Sequence, residues 1–230
     1  MCAVPELAVF DLDGTITRRD TLLPYLAGYL GRHPVRLWRL PAVLPPLLRF
    51  CVDRDRGRLK SALVRRLLGG LTPAELSTWN RTFIDRLFAR GLLAEALARI
   101  AHHRQAGHFL VLLSASVDLH VPAIAAALGF DACECTRLTR YADGRLEGRL
   151  ATPNRRGEEK AIVVRTLIDR HRPTRSHAYG NSASDLPHLK IVDEGWFVNG
   201  APRLAAGLPA LRCVRWHTSG VATALPAAHT

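Results

Sequence analysis

The sequence predicts an α/β fold: a doubly wound parallel sheet interrupted, after its first strand, by an all-helical insertion. Three observations carry this prediction. Ala8-Val9-Phe10 is a short apolar run that stops abruptly at Asp11, the pattern of a strand buried on both faces. Strand-like runs at 109–113, 176–179, 195–199 and 212–215 alternate with helical patterns in the second half of the chain. Between these halves, residues 20–105 carry helical periods and turn signals without a strand.

In the insertion, Asp20-Thr21 caps a helix over roughly 22–31. Pro34, Pro41, Pro45 and Pro46 break residues 33–51 into two short helices with a turn near Pro45-Pro46. The apolar residues of that stretch, Val35, Leu37, Trp38, Leu40, Val43, Leu44, Leu47, Leu48 and Phe50, demand burial. A helical period over 58–68 ends at Gly69-Gly70. Thr72-Pro73-Ala74-Glu75 opens the next helix with a capping hydroxyl, Pro at the first position and Glu at the third. Another helix runs from about 92 to 105.

The second half restarts with a strand ending in Ser114-Ala115-Ser116, followed by a helix over about 121–128. Asp143-Gly144 between two extended runs signals a hairpin. Residues 157–170 form a helix with Lys160 in its first turn, and 176–179 a strand ending in Gly180-Asn181-Ser182-Ala183-Ser184-Asp185. Pro202–Ala206 forms a helical turn, and the tail from Thr218 has no apolar period.

At 230 residues the chain can bury a sizeable core, and its 48% hydrophobic and 23% charged composition excludes a disordered class. The formal net charge of +12 suits phosphorylated ligands or anionic surfaces. The basic residues, all Arg except Lys60, Lys160 and Lys190, are spread without a run, so no nucleic-acid partner is expected. Five scattered cysteines, including Cys2, without a second Cys/His pair at zinc spacing fit a reducing cytoplasm, and no leader pattern is evident. The uncharged run Leu40–Leu48 is far shorter than the ~20 residues of a spanning helix.

Four polar signals thus stand at strand ends or a helix start: Asp11/Asp13, Ser114, Lys160 and Asn181/Asp185. In a parallel α/β sheet, ligands bind at the carboxyl ends of strands, so one crevice can gather all four. Two carboxylates one residue apart repel unless a cation, a shared proton or basic neighbours hold them. Apolar strand plus Asp-Leu-Asp-Gly-Thr, strand then Ser, helix-borne Lys and Gly-Asn-Ser-x-x-Asp, in that order, resemble the four motifs of the haloacid dehalogenase superfamily. The helical insertion between motifs one and two is similar to that of its phosphoserine phosphatase-like branch. Asn181 stands where the family's fourth motif usually carries Asp.

That resemblance implies a Rossmann-like core of residues 1–18 and 107–230 with a helical cap over 19–106. It implies a Mg²⁺-dependent phosphatase acting on a small phosphorylated metabolite through an aspartyl-phosphate. Asp11 would be the nucleophile and Asp13 the acid and base. Ser114, Ala115 and Lys160 would hold phosphate, and Asp11, Asp13, Asn181 and Asp185 the metal. Asp20, Arg65 and Arg66 are candidate substrate contacts in the cap. Two alternatives stay open. The proline-broken, Arg-flanked segment around Leu37–Phe50 could touch an anionic bilayer and point to a lipid-headgroup phosphate, with ordinary cap packing the expected role. Asn181 suggests a non-catalytic phospholigand-binding protein.

Overall fold

Strand β1 (Leu7–Phe10) is buried at all four positions and lies inside a six-stranded sheet of order β3-β2-β1-β6-β7-β8. Its neighbours in that sheet are β2 (Phe109–Val117), β3 (Ala132–Thr136), β6 (Ser176–Gly180), β7 (Glu194–Val198) and β8 (Leu211–Val214). Every pairing in the sheet is parallel. The computed structural model describes residues 6–206, 208 and 210–217; Cys2 and the tail from Thr218 lie outside them.

The pleat of β1 divides its side chains between two layers. Leu7 and Val9 pack with Val163, Val164 and Leu167 of α7 (Glu158–His171). Ala8 and Phe10 pack with Ala96 and Ile100 of α5 (Ala94–Gln105) and Ile124 of α6 (Val121–Ala127). Helices on both faces make the sheet doubly wound, as the continuous apolar run of β1 requires. Two short helices, α8 (Leu186–Leu189) and α9 (Pro202–Ala205), complete the second half.

The cap comprises α1 (Leu22–Arg32), a 3₁₀ segment Pro34–Val43, α2 (Leu44–Asp53), α3 (Arg56–Leu68) and α4 (Pro73–Arg90). Helix α4 begins with a complete capping box, Thr72 accepting from the Glu75 amide and Glu75 from the Thr72 amide. Tyr25, Tyr29, Leu68, Trp79 and Phe83 form the cap's own core. The two crossings between sheet and cap are tied together: Arg18 N donates to Gly91 O at 2.8 Å and Leu93 N to Ile16 O at 2.9 Å.

The structure departs from the sequence expectations in four places. Helix α5, read as part of the cap, packs Ala96 and Ile100 with the sheet residues Ala8 and Phe10. The hairpin β4 (Leu138–Arg140) and β5 (Leu146–Leu150) joins the cap helices. It does so through Gly148, at φ +89°, where a Cβ would stand 2.9 Å from the Arg65 backbone. Strand β3, carrying Cys133-Glu134-Cys135, was not anticipated.

The largest departure concerns residues 33–51. No turn falls at Pro45-Pro46. Both prolines sit in the first turn of α2, where amide hydrogens have no helical acceptor to lose. Among the apolar residues expected to be buried there, Val43 is buried while Val35, Trp38, Leu44 and Leu48 are exposed, Trp38 by 73%.

His120, just before α6, is fully buried between cap and sheet, 2.8 Å from Thr21 Oγ1 and stacked on Tyr25. Burial lowers its pKa to about 3, with Lys60 adding to the effect. The unfolded imidazole takes a proton near its ordinary value, so this stability is present above about pH 6.5 and lost as pH falls toward 3. At pH 5 the loss from this group approaches about 2 kcal/mol. Thermal melts from pH 7.5 to 5 are expected to show a falling melting temperature, with a shallower slope in His120→Phe; parallel slopes would show that His120 is not the group responsible.

Candidate active site

The carboxyl ends of β1, β2 and β6 and the underside of the cap enclose a cleft of about 680 Å³. Asp11 continues β1: its amide donates to Tyr179 O at 2.9 Å, extending the ladder to β6 by one residue. The chain then turns on Leu12 O, which accepts from the amides of Thr15, Ile16 and Thr17. Gly14, at φ +83°, allows this turn to lie against Asn181, whose Nδ2 would be 2.0 Å from a Cβ at position 14.

Lys160, in the first turn of α7, is 1% exposed. Its ammonium donates to Asp11 Oδ1 and Asp185 Oδ1, both at 2.6 Å. Asp185 Oδ2 accepts from the Asn181 amide, the Ser182 amide and Ser182 Oγ at 3.2, 2.9 and 2.7 Å. Both oxygens of Asp185 are therefore occupied within the protein. Burial opposes its ionisation, but Lys160, His188 and the Ser182 bond outweigh it and hold the carboxyl at about 2. Burial likewise opposes the Lys160 charge, and the two carboxylates overcome it and raise its pKa.

Asp11 is pushed up to about 7, first by burial, with Lys160 pulling it down and Asp185 and Asp13 adding to the rise. Thr15 Oγ1 donates to its second oxygen at 3.0 Å. Asp13 is held by the Thr21 amide at 2.7 Å and by Ser116 Oγ at 2.5 Å. Its pKa is raised by burial and then by the Asp20 carboxylate. Asp20 lines the cleft, and its Oδ1 accepts from the Leu22 and Leu23 amides at the start of α1.

The structure thus brings Asp11, Asp13, Asp20, Ala115, Lys160, Asn181 and Asp185 to one cleft. Ser114 is fully buried at its edge, its Oγ accepting from the Ser116 amide at 3.0 Å, and Ala115 and Ser116 face the cleft. Arg65 and Arg66 do not reach it. They line a separate cavity of about 520 Å³ with Trp38, Arg39 and Tyr141, because the face of α3 that meets the cleft carries Leu59, Lys60 and Leu63 instead.

Sequence reasoning missed Lys60, Ser116, Asn154 and Arg156, which all line the cleft. Lys60 Nζ donates to Ala115 O and, at 2.8 Å, to Asn154 Oδ1. Burial lowers its pKa to about 8 against the pull of Asp13 and Asp20. The only available signals were that Lys60 is one of few lysines in an arginine-rich chain and that Ser116 shares the Ser-Ala-Ser strand end.

This geometry agrees with the relationships of the chain. Residues 8–190 match the model of the haloacid dehalogenase-like hydrolase family. The chain belongs to that family. Protein CicA of Caulobacter vibrioides is 34% identical over 206 residues, covering 90% of this chain and 89% of that protein. A probable phosphatase of Mycobacterium tuberculosis is 32% identical over 200 residues, 84% of this chain and 68% of its own. Among solved structures, a Bordetella pertussis protein of unknown function superposes with TM-score 0.76 at 23% identity, covering 92% of this chain and 99% of its own. A probable phosphoserine phosphatase of Vibrio cholerae gives TM-score 0.68 at 18% identity over 93% of this chain and 63% of its own. Among haloacid dehalogenase-like hydrolases this chain is of the phosphatase type, a phosphoric monoester hydrolase.

Members of this family with such a cleft place Mg²⁺ among its carboxylates, and the donor set here fits a hard cation. Asp11, the Asp13 carbonyl and the Asn181 amide oxygen are all oxygen donors. Burial raises both Asp11 and Asp13, and neighbouring carboxylates add to each rise, Asp185 and Asp13 for Asp11 and Asp20 for Asp13, a balance that added positive charge would relieve. Asp185 fits less well as a direct ligand, since Lys160 and the Asn181–Ser182 turn already occupy its oxygens.

Removing Lys160 leaves two buried carboxylates facing each other. Lys160→Met is expected to cost about 3–5 kcal/mol of stability, read from denaturant midpoints. Adding Asp185→Asn to that variant should recover part of the loss. A double variant no more stable than Lys160→Met would show that the two side chains do not share a charge balance.

Proposed function

We propose that the chain hydrolyses a phosphomonoester through an aspartyl-phosphate, with Mg²⁺ bound in the cleft. The observation that carries this reading is the pair Asp11 and Asp13 at one strand end, held in different environments. Asp11 is tied to the Lys160 ammonium, and Asp13 to the neutral hydroxyl of Ser116.

Burial raises the pKa of both, so the partners separate the roles: the Lys160 ammonium holds Asp11 in place for attack, whereas Asp13, bonded to neutral donors, is free to carry and release a proton. Asp11 Oδ attacks phosphorus, and the bond from phosphorus to the ester oxygen breaks. Asp13 gives its proton to the departing oxygen, so an alcohol leaves. Asp13 then takes a proton from water, whose oxygen attacks phosphorus. The bond between Asp11 and phosphorus breaks, and inorganic phosphate and the Asp11 carboxylate are restored.

Lys160, already between Asp11 and Asp185, would also donate to a phosphate oxygen. Ala115 and Ser116 line the same wall, and the Ser114 hydroxyl fixes that strand end by accepting from the Ser116 amide. Mg²⁺, held by Asp11, the Asp13 carbonyl and Asn181, would offset the repulsion between the carboxylates and a phosphate dianion. Asp185 acts through the Asn181–Ser182 turn that it fastens, in place of the direct ligand role that resemblance implied. Asp20, Lys60 and Arg156 are the contacts proposed for the part of the phosphomonoester beyond its phosphate.

Wild-type protein is expected to release phosphate from an aryl phosphate only with Mg²⁺ present. Asp11→Asn should abolish turnover in folded protein, and Asp13→Asn should lower it ~10²–10⁴-fold. Wild-type protein inert at saturating Mg²⁺, or folded Asp11→Asn near wild-type rate, would overturn the reading.

Asn181→Asp adds a carboxylate charge at the proposed metal position. Repulsion from Asp11 and Asp13 offsets part of the gain, leaving about fivefold tighter Mg²⁺ by calorimetry. An unchanged affinity would remove position 181 from the metal's surroundings.

A further inference from the structure

Helix α2 buries none of its residues, yet its sequence is predominantly apolar. Leu44, Leu47, Leu48, Cys51 and Val52 are exposed, and their spacing of three and four places them on one helical face. The preceding 3₁₀ segment adds Val35, Leu37, Trp38 and Leu40, exposed by 77, 43, 73 and 45%. Packing within the cap, the expected role of this stretch, therefore does not account for it.

The charge along this stretch is predominantly positive. From Thr21 to Val52 the sequence contains no Asp or Glu but carries Arg32, Arg36, Arg39 and Arg49, and Asp53 at the end of α2 pairs with Arg49 at 3.3 Å. The Arg39 guanidinium lies over the exposed Trp38 ring, 5.5 Å from its centroid. Apolar side chains, an indole and an excess of arginines over acids are the composition of an interfacial membrane contact. A second copy of the chain would set arginines against arginines, whereas an anionic lipid surface supplies the complementary charge. Among the described residues no helix is long and apolar enough to cross a membrane, so the contact is interfacial.

The same helix reaches the cleft. Phe50, on the opposite side of α2 from Leu48, lines the cleft with Leu23, itself 60% exposed. A docked α2 would hold the cleft mouth within about 10 Å of the headgroups, one helix diameter. Arg56, just beyond α2, and Arg19 line that mouth as well.

We propose that the face formed by the 3₁₀ segment and α2 docks on an anionic bilayer, so that the cleft acts on phosphomonoester headgroups at its surface. The second clause rests on the phosphatase reading; the first does not, and the two are tested apart. Asp11→Asn protein, in which chemistry is blocked, is expected to co-sediment with equimolar phosphatidylcholine–phosphatidylglycerol vesicles but not with phosphatidylcholine alone. High salt should weaken the binding. Leu44→Ser combined with Leu48→Ser removes exposed side chains without opening the core, and should weaken binding about tenfold or more. In otherwise wild-type protein, this pair should lower phosphate release from phosphatidic acid in such vesicles by a similar factor and leave aryl phosphate turnover unchanged. Absence of vesicle binding, or binding indifferent to the two serines, would overturn docking while leaving the phosphatase reading intact. A dimer in sedimentation that the serines dissociate, without vesicle binding, would assign the face to a second copy and overturn docking equally. Vesicle binding with equal phosphatidic acid hydrolysis in both forms would overturn the surface-substrate clause.

Discussion

The ion pair on which the site depends is the Lys160 ammonium shared by Asp11 and Asp185. It joins three separate elements, the end of β1, the first turn of α7 and the turn after β6, at a depth where none of the three residues is more than 5% exposed. A charge at that depth is tolerable only when paired and hydrogen-bonded. The two 2.6 Å contacts meet that condition for Lys160, and the Ser182 and backbone donors meet it for the remaining oxygen of Asp185. The consequence is positional: once Lys160 is buried, Asp11 cannot rotate away and the Asn181–Ser182 turn cannot lift without leaving a bare charge. The cleft floor is thus set by electrostatics, with the sheet supplying the rigid frame behind it.

The outer half of the cleft is built differently. Asp13 faces a neutral hydroxyl, and Lys60 reaches in from α3 to a backbone carbonyl and an amide side chain. These contacts cross between cap and core, since Ala115 belongs to β2 and Lys60 to a cap helix. The two chain crossings at 16–18 and 91–93 hydrogen-bond to each other, so cap and core meet through a narrow, paired connection. On the proposed reading, the charge that performs chemistry would stand at the sheet's edge and the first turn of α7, and the charge that meets the rest of a substrate on the cap and the loop before α7.

Much of this was legible in the sequence because the deciding features are local. A strand buried on both faces has to be apolar at every position, and functional groups in parallel sheets collect where such strands end. That logic located Asp11, Asp13, Lys160, Asn181 and Asp185. Lys60 escaped it because one lysine on an amphipathic helix has no sequence mark of the direction it faces. Arg65 and Arg66 failed for the same reason: α3 turns Leu59, Lys60 and Leu63 to the cleft, and five or six residues later the helix points elsewhere. Strand β3 was hidden because Glu134 interrupts its apolar character. The burial expected for 35–50 rested on hydrophobicity alone, which registers a need for cover without saying whether the chain itself provides it.

The exposed face and the cleft place opposite requirements on charge, and the chain satisfies both with one composition. Inside, carboxylates outnumber ammonium groups around Asp11, which suits a metal ion but repels an anionic substrate. Outside, Arg19, Arg56 and Arg156 stand at the cleft wall, Arg39 lies over the exposed Trp38, and Arg49 stands on α2. A net charge of +12 would by itself draw any polyanion without discrimination. The apolar side chains between the arginines change that, because burying Leu44, Leu48 and Trp38 is favourable only against a surface that is itself apolar beneath its charge. A polyanion such as nucleic acid meets the first condition and fails the second. The distribution of arginine thus draws anions generally, and the leucines decide among them.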